Sequence, residues 1–296
     1  MGYKYILSKS ACNKIESKNL PYVWELNIYR GCEHSCIYCF AQYTSNYLNS
    51  DFNKDIYIKK NIVELFKKFL ESNKYKQDLI NLGGITDSYQ YIERHLKIMP
   101  QILDLLIRYK APCTISTKSS LILRDYNLYE ILSKNTYVNI AITITTLNEV
   151  IQKQFEPNAS SIKDRMYILK EFSKLKIRKG IHIMPIMPYI NDDINSLESI
   201  FIIAKNLKVD YVDTEVLNLY GQTKISFYKC LNKYYPSLIK RYDKIYFNGK
   251  LSNLYIENIN KRLDYLRKKY NFPLVERKQL QNFSSSKQLS FLDLNF

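Results

Sequence analysis

Three cysteines fall within eight residues, Cys32-Glu33-His34-Ser35-Cys36-Ile37-Tyr38-Cys39, directly after Asn27-Ile28-Tyr29-Arg30-Gly31. In a reducing compartment, thiols at such spacing hold a metal more often than they form disulfides. Three thiolates are one short of the four ligands that structural zinc and fully protein-held iron–sulfur clusters take. Two chemistries fit the count. In one, His34 completes a zinc shell. In the other, Cys32, Cys36 and Cys39 bind three irons of a [4Fe-4S] cluster and leave the fourth open to a small molecule. Cys12, Cys113 and Cys230 lie outside the motif. Cys113 opens an apolar strand and reads as a core residue, while any of the three could in principle serve as a thiol hydrogen donor.

The elements that must position these thiols are read from hydrophobic periodicity. Apolar strand runs lie at 23–29, 78–83, 112–117, 136–145, 180–187 and 210–217. Between them, helical spacing joins Ile58, Ile62, Leu65, Phe66 and Phe69, then Leu96, Met99, Leu103 and Leu106. Ile162, Met166, Leu169 and Phe172 form a third stripe, and Leu197, Ile200, Ala204 and Leu207 a fourth. A shorter helix fits 127–134. Alternating strands and helices imply βα units and a parallel sheet, closed partly into a barrel or left open and doubly wound. Either way ligands bind beyond the C-terminal strand ends. Gly83, Thr117, Thr145, Pro185 and Asp213 fall near those ends.

The motif order resembles one branch of a known superfamily, the spore photoproduct lyase-like (SplB-type) radical SAM proteins. Its Asn-x-Tyr-Arg-Gly-Cys-x-His-x-Cys-x-Tyr-Cys run is present from Asn27 to Cys39, and its Gly-x-x-Thr-Asp-x-Tyr-Gln-x-x-Glu run from Gly83 to Glu93. Thr117-Lys118-Ser119 and Arg124-Asp125 come next, followed by Ile144-Thr145-Thr146. Glu156-Pro157-Asn158-Ala159 with Arg165, and Met187-Pro188 leading to Asn191-Asp192, complete the series. The resemblance covers about residues 22–220.

What the resemblance implies is an α/β fold, the partial (βα)6 TIM-like barrel of the radical SAM type, with a helical, basic C-terminal extension. It implies a [4Fe-4S] cluster on Cys32, Cys36 and Cys39, with S-adenosylmethionine chelated to the open iron through its amino and carboxylate groups. One electron then cleaves a carbon–sulfur bond, and the resulting 5′-deoxyadenosyl radical abstracts hydrogen. A one-electron donor such as flavodoxin or ferredoxin goes with that chemistry. Tyr38 takes the place of the aromatic ring that packs by the adenine. Gly83-Gly84 would let the backbone approach the methionyl part closely, or simply form a turn. Thr86 and Asp87 offer a hydroxyl and a carboxylate to cofactor or substrate, unless they cap a helix. Lys118 ends a buried strand and should meet an anion, either the cofactor carboxylate or a substrate phosphate. Thr145 joins the cofactor-binding set, and Glu156 with Arg165 either brackets the cofactor or forms a structural ion pair. Lys118, Asp87 and Thr86 are the candidate catalytic residues.

One departure bears on the substrate. The authentic lyase carries a hydrogen-donating cysteine near the start of the Thr/Ser-Asp element, where this chain has Gly84. Repair of the thymine spore photoproduct is therefore not implied. A nucleic-acid substrate, in DNA repair or nucleic-acid modification, is the first expectation. A protein, peptide or small-metabolite substrate is the alternative, and a non-catalytic zinc- and nucleic-acid-binding protein the third reading.

Charge supplies the case for nucleic acid. The 296 residues carry a net charge of +16, and residues 221–296 hold 15 Lys/Arg against 5 Asp/Glu, or +10 of it. Such asymmetry suits a polyanionic partner, although drift in an AT-rich coding sequence also enriches lysine. No apolar stretch approaches the roughly 18 residues that cross a bilayer, and residues 1–5 lack a signal-peptide pattern. A cytoplasmic protein without membrane attachment is expected. The chain divides into an N-terminal segment at 1–21, the core at 22–220, a helical basic extension at 221–283 and a flexible tail at 284–296. In that tail Gln288-Leu289-Ser290-Phe291-Leu292 resembles the bacterial sliding-clamp-binding peptide with its last two residues reversed.

Overall fold

Runs of Ile, Val and Thr set the main sheet. The computed structural model describes residues 2–17, 20–47 and 50–272. In chain order its strands are β1 (Gly2–Ile6), β2 (Cys12–Lys14), β3 (Trp24–Leu26), β4 (Tyr29–Arg30), β5 (Asp55–Lys59) and β6 (Ile80–Leu82). Then come β7 (Cys113–Thr117), β8 (Val138–Thr143), β9 (Arg178–Ile186), β10 (Tyr211–Val216), β11 (Tyr246–Phe247) and β12 (Lys250–Leu251). The helices are α1 (Ile62–Leu70), α2 (Glu93–Leu96), α3 (Ile98–Arg108), α4 (Tyr126–Asn135) and α5 (Glu149–Phe155). They continue with α6 (Ile162–Phe172), α7 (Ile194–Asn206), α8 (Gly221–Tyr234), α9 (Ile239–Ile245) and α10 (Asn253–Tyr270).

The main sheet runs β10-β9-β8-β7-β6-β3-β2. Every pairing from β3 to β10 is parallel, and β2 adds an antiparallel edge. This is the expected partial (βα)6 barrel, and its six parallel strands coincide with the six apolar runs. The N-terminal segment contributes more than its polar composition suggested. β2 closes one edge of the main sheet, and β1 pairs with β5 in a separate three-stranded sheet with β4.

Ile58 corrects a boundary. Its spacing to Ile62 and Leu65 is helical, but it lies in β5, where Ile56 and Ile58 are both buried at strand period. The helix begins at Ile62. Asp213 likewise sits inside β10 rather than at its end. Local caps agree with the pattern: the Ser161 hydroxyl accepts from the Asp164 N–H and opens α6, a contribution of about 1 kcal/mol.

After β10 the alternation gives way to α8, α9 and α10, broken at Pro236 and at the Asn248-Gly249 turn of the β11–β12 hairpin. These helices share a second apolar cluster with the cysteine loop, in which Cys36, Tyr38 and Phe155 pack with Phe227, Leu231 and Tyr242. The expected tail at 284–296, its clamp-like peptide and residues 273–283 lie outside the described residues. No helix among those described is long and apolar enough to cross a membrane.

Candidate active site

The cysteine loop leaves β4 through Gly31, whose φ of +79° suits glycine. A Cβ at Gly31 would also lie 2.4 Å from the Asp55 carbonyl oxygen. Beyond it the Cys32 N–H donates to the Phe52 carbonyl at 3.0 Å, and the Cys39 N–H to the Cys36 carbonyl at 3.1 Å. Gln42 Nε2 donates to the carbonyls of Cys36 and Ile37, each at 3.1 Å. From α8 the Thr223 hydroxyl donates to the Cys39 carbonyl at 2.9 Å. The loop is thus held by its own turn and by the C-terminal helices.

Cys32, Cys36 and Cys39 all line one cavity of about 600 Å³, together with Tyr38, Gly83, Gly84, Thr86, Asp87 and Lys118. Burial pushes all three thiols up, Cys36 to about 12, while Lys118 pulls Cys36 and Cys39 back down. As thiolates they need a bound metal's charge to compensate. Among the described residues no three His, Cys, Asp or Glu side chains converge on a single ion. His34 turns instead to Asp87, with Nδ1 3.3 Å from Oδ2. The arrangement therefore does not build a zinc shell on the cysteines and His34. Three thiols spread around one wall suit a multi-iron cluster, in which each thiolate takes one iron.

Asp87 is a hub beside the cysteine loop, and its backbone N–H also hydrogen-bonds Cys32. It accepts from the Thr117 hydroxyl at 2.8 Å, from the Lys118 N–H at 2.9 Å and from the Tyr89 N–H at 2.8 Å, besides facing His34. Burial alone would raise its carboxyl, but the His34 ring and these N–H donors hold it down at about 2. Both oxygens are engaged in joining the strand ends to the cysteine loop. Thr86 beside it caps no helix, since the N-cap of α2 is Ile92. The Thr86 hydroxyl is buried without a hydrogen-bond partner, which fits a bound polar group more readily than the turn alone.

Lys118 Nζ stands 5.7 Å from the Tyr38 ring centroid. Burial works against its charge, but Cys36 and Glu156 outweigh it and raise the ammonium above the ordinary range. It forms no ion pair among the described residues and faces the thiols as a cation.

Thr145, Glu156 and Arg165 fall together behind Tyr38 and do not line the cavity. The Tyr38 hydroxyl and Thr145 Oγ1 both donate to Glu156 Oε1, and Arg165 Nη2 pairs with Oε2. Arg165 also donates to the carbonyls of Ser160 at 2.9 Å and Thr143 at 3.0 Å. Glu156 is 0% exposed and Arg165 1%. Burial would raise the Glu156 carboxyl, yet Arg165 and Lys118 lower it, so the pair is ionised. Of the two roles expected for these residues, the ion pair is the one in contact.

Gly84 is tightly constrained. A Cβ there would come within 1.7 Å of Glu25 Oε1. Glu25 is held by Asn27 Nδ2 at 2.9 Å and Asn81 Nδ2 at 3.4 Å. Glu25 was not singled out from the sequence, because it lies within an apolar strand run. Arg178, His182 and Tyr211 also line the cavity without having been anticipated. Their only signal is strand alternation, which turns every second residue of β9 and β10 inward.

The chain matches the Radical SAM superfamily over residues 26–200, and it belongs to that superfamily. It is an enzyme of radical SAM chemistry, and its cofactors are a [4Fe-4S] cluster and S-adenosylmethionine. An uncharacterized protein of Mycobacterium tuberculosis is 27% identical over 271 residues, covering 90% of this chain and 80% of the relative. An uncharacterized protein of Methanocaldococcus jannaschii is 29% identical over 188 residues, or 63% and 68% of the two chains. Among solved structures, a spore photoproduct lyase mutant with bound AdoMet and dinucleoside spore photoproduct is similar, with a TM-score of 0.67 at 13% identity. It covers 90% of this chain and 79% of its own. Streptococcus suis SuiB bound to its precursor peptide SuiA gives 0.55 at 17% identity, covering 86% and 48%. These likenesses show that the fold is shared, including the spore photoproduct lyase architecture.

Proposed function

We propose that this enzyme acts on nucleic acid, in DNA repair or nucleic-acid modification. The observation that carries the reading is the basic composition of the helices that follow β10, the first of which packs on the cysteine loop. Residues 221–272, which form α8 to α10, hold 12 Lys/Arg against 3 Asp/Glu. Thr223 on α8 contacts the Cys39 carbonyl directly. A phosphate backbone attracted to these helices would lie next to the cavity. The structurally similar lyase, whose bound ligand is a dinucleoside, agrees with this assignment.

When bound, the cluster supplies one electron for reductive cleavage of S-adenosylmethionine. The chain's own residues do the rest by placement. Cys32, Cys36 and Cys39 hold the cluster, Lys118 offers a cation to a carboxylate or phosphate, and Thr86 offers its hydroxyl. Asp87 keeps Thr117, Lys118 and His34 in register, and the Glu156–Arg165 pair supports Tyr38 from behind. A one-electron donor of the flavodoxin or ferredoxin kind and a cytoplasmic setting belong to the same reading. Glu25 takes the space a side chain at position 84 would need, so a hydrogen-donating cysteine does not fit there, and repair of the spore photoproduct is not part of this reading.

Binding of labelled DNA and RNA to the anaerobic holoenzyme, measured across about 50–200 mM salt, tests the substrate class. Affinity should fall log-linearly with salt, with a slope of about −5 or steeper. No binding, or a slope near zero with S-adenosylmethionine cleavage intact, would move the substrate to a peptide or metabolite.

A further inference from the structure

Barrels of parallel strands normally fill their interior with branched aliphatic side chains. Here Thr114, Ser116, Asn139, Arg178, His182 and Tyr211 face the cavity instead. The floor, at the N-terminal end of β9, is built in tiers. Gly180 leaves room for the Tyr211 ring, since a Cβ there would lie 2.2 Å from Cζ and within 2.5 Å of both flanking ring carbons. The ring therefore rests by its face on the Gly180 backbone. Asn139 Nδ2 pins it, donating to the Tyr211 hydroxyl and to Thr114 Oγ1, each at 2.9 Å. The Arg178 guanidinium lies 4.7 Å from the ring centroid.

Arg178 lines the cavity and is half-buried; Asp210 lies near enough to help raise its guanidinium, yet no carboxylate among the described residues forms an ion pair with it. Its guanidinium donates weakly to the Tyr137 hydroxyl at 3.4 Å. A partly buried cation without an anion in direct contact keeps donors to offer. A planar fork held flat on an aromatic ring is organised to take an oxyanion through paired N–H donors. Further along β10, Asp213 and Glu215 line the same cavity and disfavour an anion beside them.

We propose that Arg178, on its Tyr211–Gly180 platform, anchors an oxyanion of the substrate at the floor of the barrel. The substrate class is one bearing a phosphate or carboxylate, whose reacting part stays at the cysteine-loop end. This rests on reading the cavity as the substrate site.

The test titrates anaerobically reconstituted holoenzyme with inorganic phosphate and, separately, acetate, while arginine side-chain Nε–H signals are followed by NMR. The signal missing from Arg178→Met should move saturably with one of the two anions, and further than any other arginine signal. Phosphate alone points to a phosphorylated substrate, acetate alone to a carboxylate. Arg178→Lys should retain the anion about tenfold more weakly, and it identifies the signal if Arg178→Met does not fold. A signal that stays still with both anions, or moves no more than the other arginines, overturns the proposal. S-adenosylmethionine binding in the same samples separates the two readings. Cofactor bound with Arg178 unmoved refutes the anchor alone. An Arg178 shift without cofactor binding supports the anchor and counts against this cavity as the site where cofactor and substrate meet.

Discussion

His34 Nδ1 stands 3.3 Å from Asp87 Oδ2, joining the cysteine loop to the segment that follows β6. That carboxylate also collects the Thr117 hydroxyl and the Lys118 N–H from the end of β7. Groups that orient ligating loops in this way commonly cost about 10–100-fold in metal affinity when removed. Asp87→Asn should therefore lose iron to a chelator at least severalfold faster than wild type, measured by iron content over time. Unchanged iron loss would reduce Asp87 to a turn residue.

The Glu156–Arg165 pair predicts a large loss of stability. Removing one partner of a buried ion pair typically costs about 3–5 kcal/mol, because the other charge stays behind. Glu156→Gln leaves Arg165 with the Ser160 and Thr143 carbonyls but no counter-charge. Denaturant unfolding of Glu156→Gln against wild type should show a drop of that order. A change below about 1 kcal/mol would place the pair in a far wetter setting.

Gly84 and Glu25 should be strongly coupled. Gly84→Cys places Cβ against Glu25 Oε1, and overpacking of this kind costs about 1–3 kcal/mol or more. Glu25→Ala vacates the space. In a double-mutant cycle read by thermal unfolding, the pair should recover at least about 1 kcal/mol of the summed single losses. Additive losses would mean that Glu25 does not occupy the site.

Lys59 gives a pH signature remote from the thiols. Burial, then Arg30, lowers its ammonium to about 8 from 10.5, against Cys12 and Glu25, and Nζ donates to the Asn27 carbonyl at 2.5 Å. Between about pH 8 and 10.5 the unfolded chain keeps this proton while the folded chain has released it. The unfolded state binds more protons there, so this group's contribution to stability rises with pH through the window. Wild type should gain up to about 3 kcal/mol relative to Lys59→Met between those limits. Parallel pH dependence in the two proteins would contradict the shift.

Much of this was legible in the sequence because it rests on local pattern. The six apolar runs became the parallel strands, and the ordered motifs from Asn27 to Asp192 carried the superfamily. Ile58 stands at helical spacing from Ile62 and Leu65 as well as at strand spacing from Ile56, and only pairing with β1 and β4 decides the matter. For Glu156 and Arg165 the sequence leaves both an ion pair and a place beside the cofactor open, since the order of Thr145, Glu156 and Arg165 along the chain brings them near the strand ends but does not tell the cavity face from the wall behind it. Glu25 and Arg178 were missed for a related reason. Each becomes meaningful only once a glycine on another segment, or a ring laid over one, shows what the side chain touches.

Reductive cleavage of S-adenosylmethionine beside the three thiols is measured most directly as 5′-deoxyadenosine formation by anaerobically reconstituted protein with dithionite. Wild type should produce it, and Cys36→Ser, which loses one of the three thiolates, should not. Wild type carrying about four irons per chain and binding S-adenosylmethionine, yet forming no 5′-deoxyadenosine, would contradict the claim.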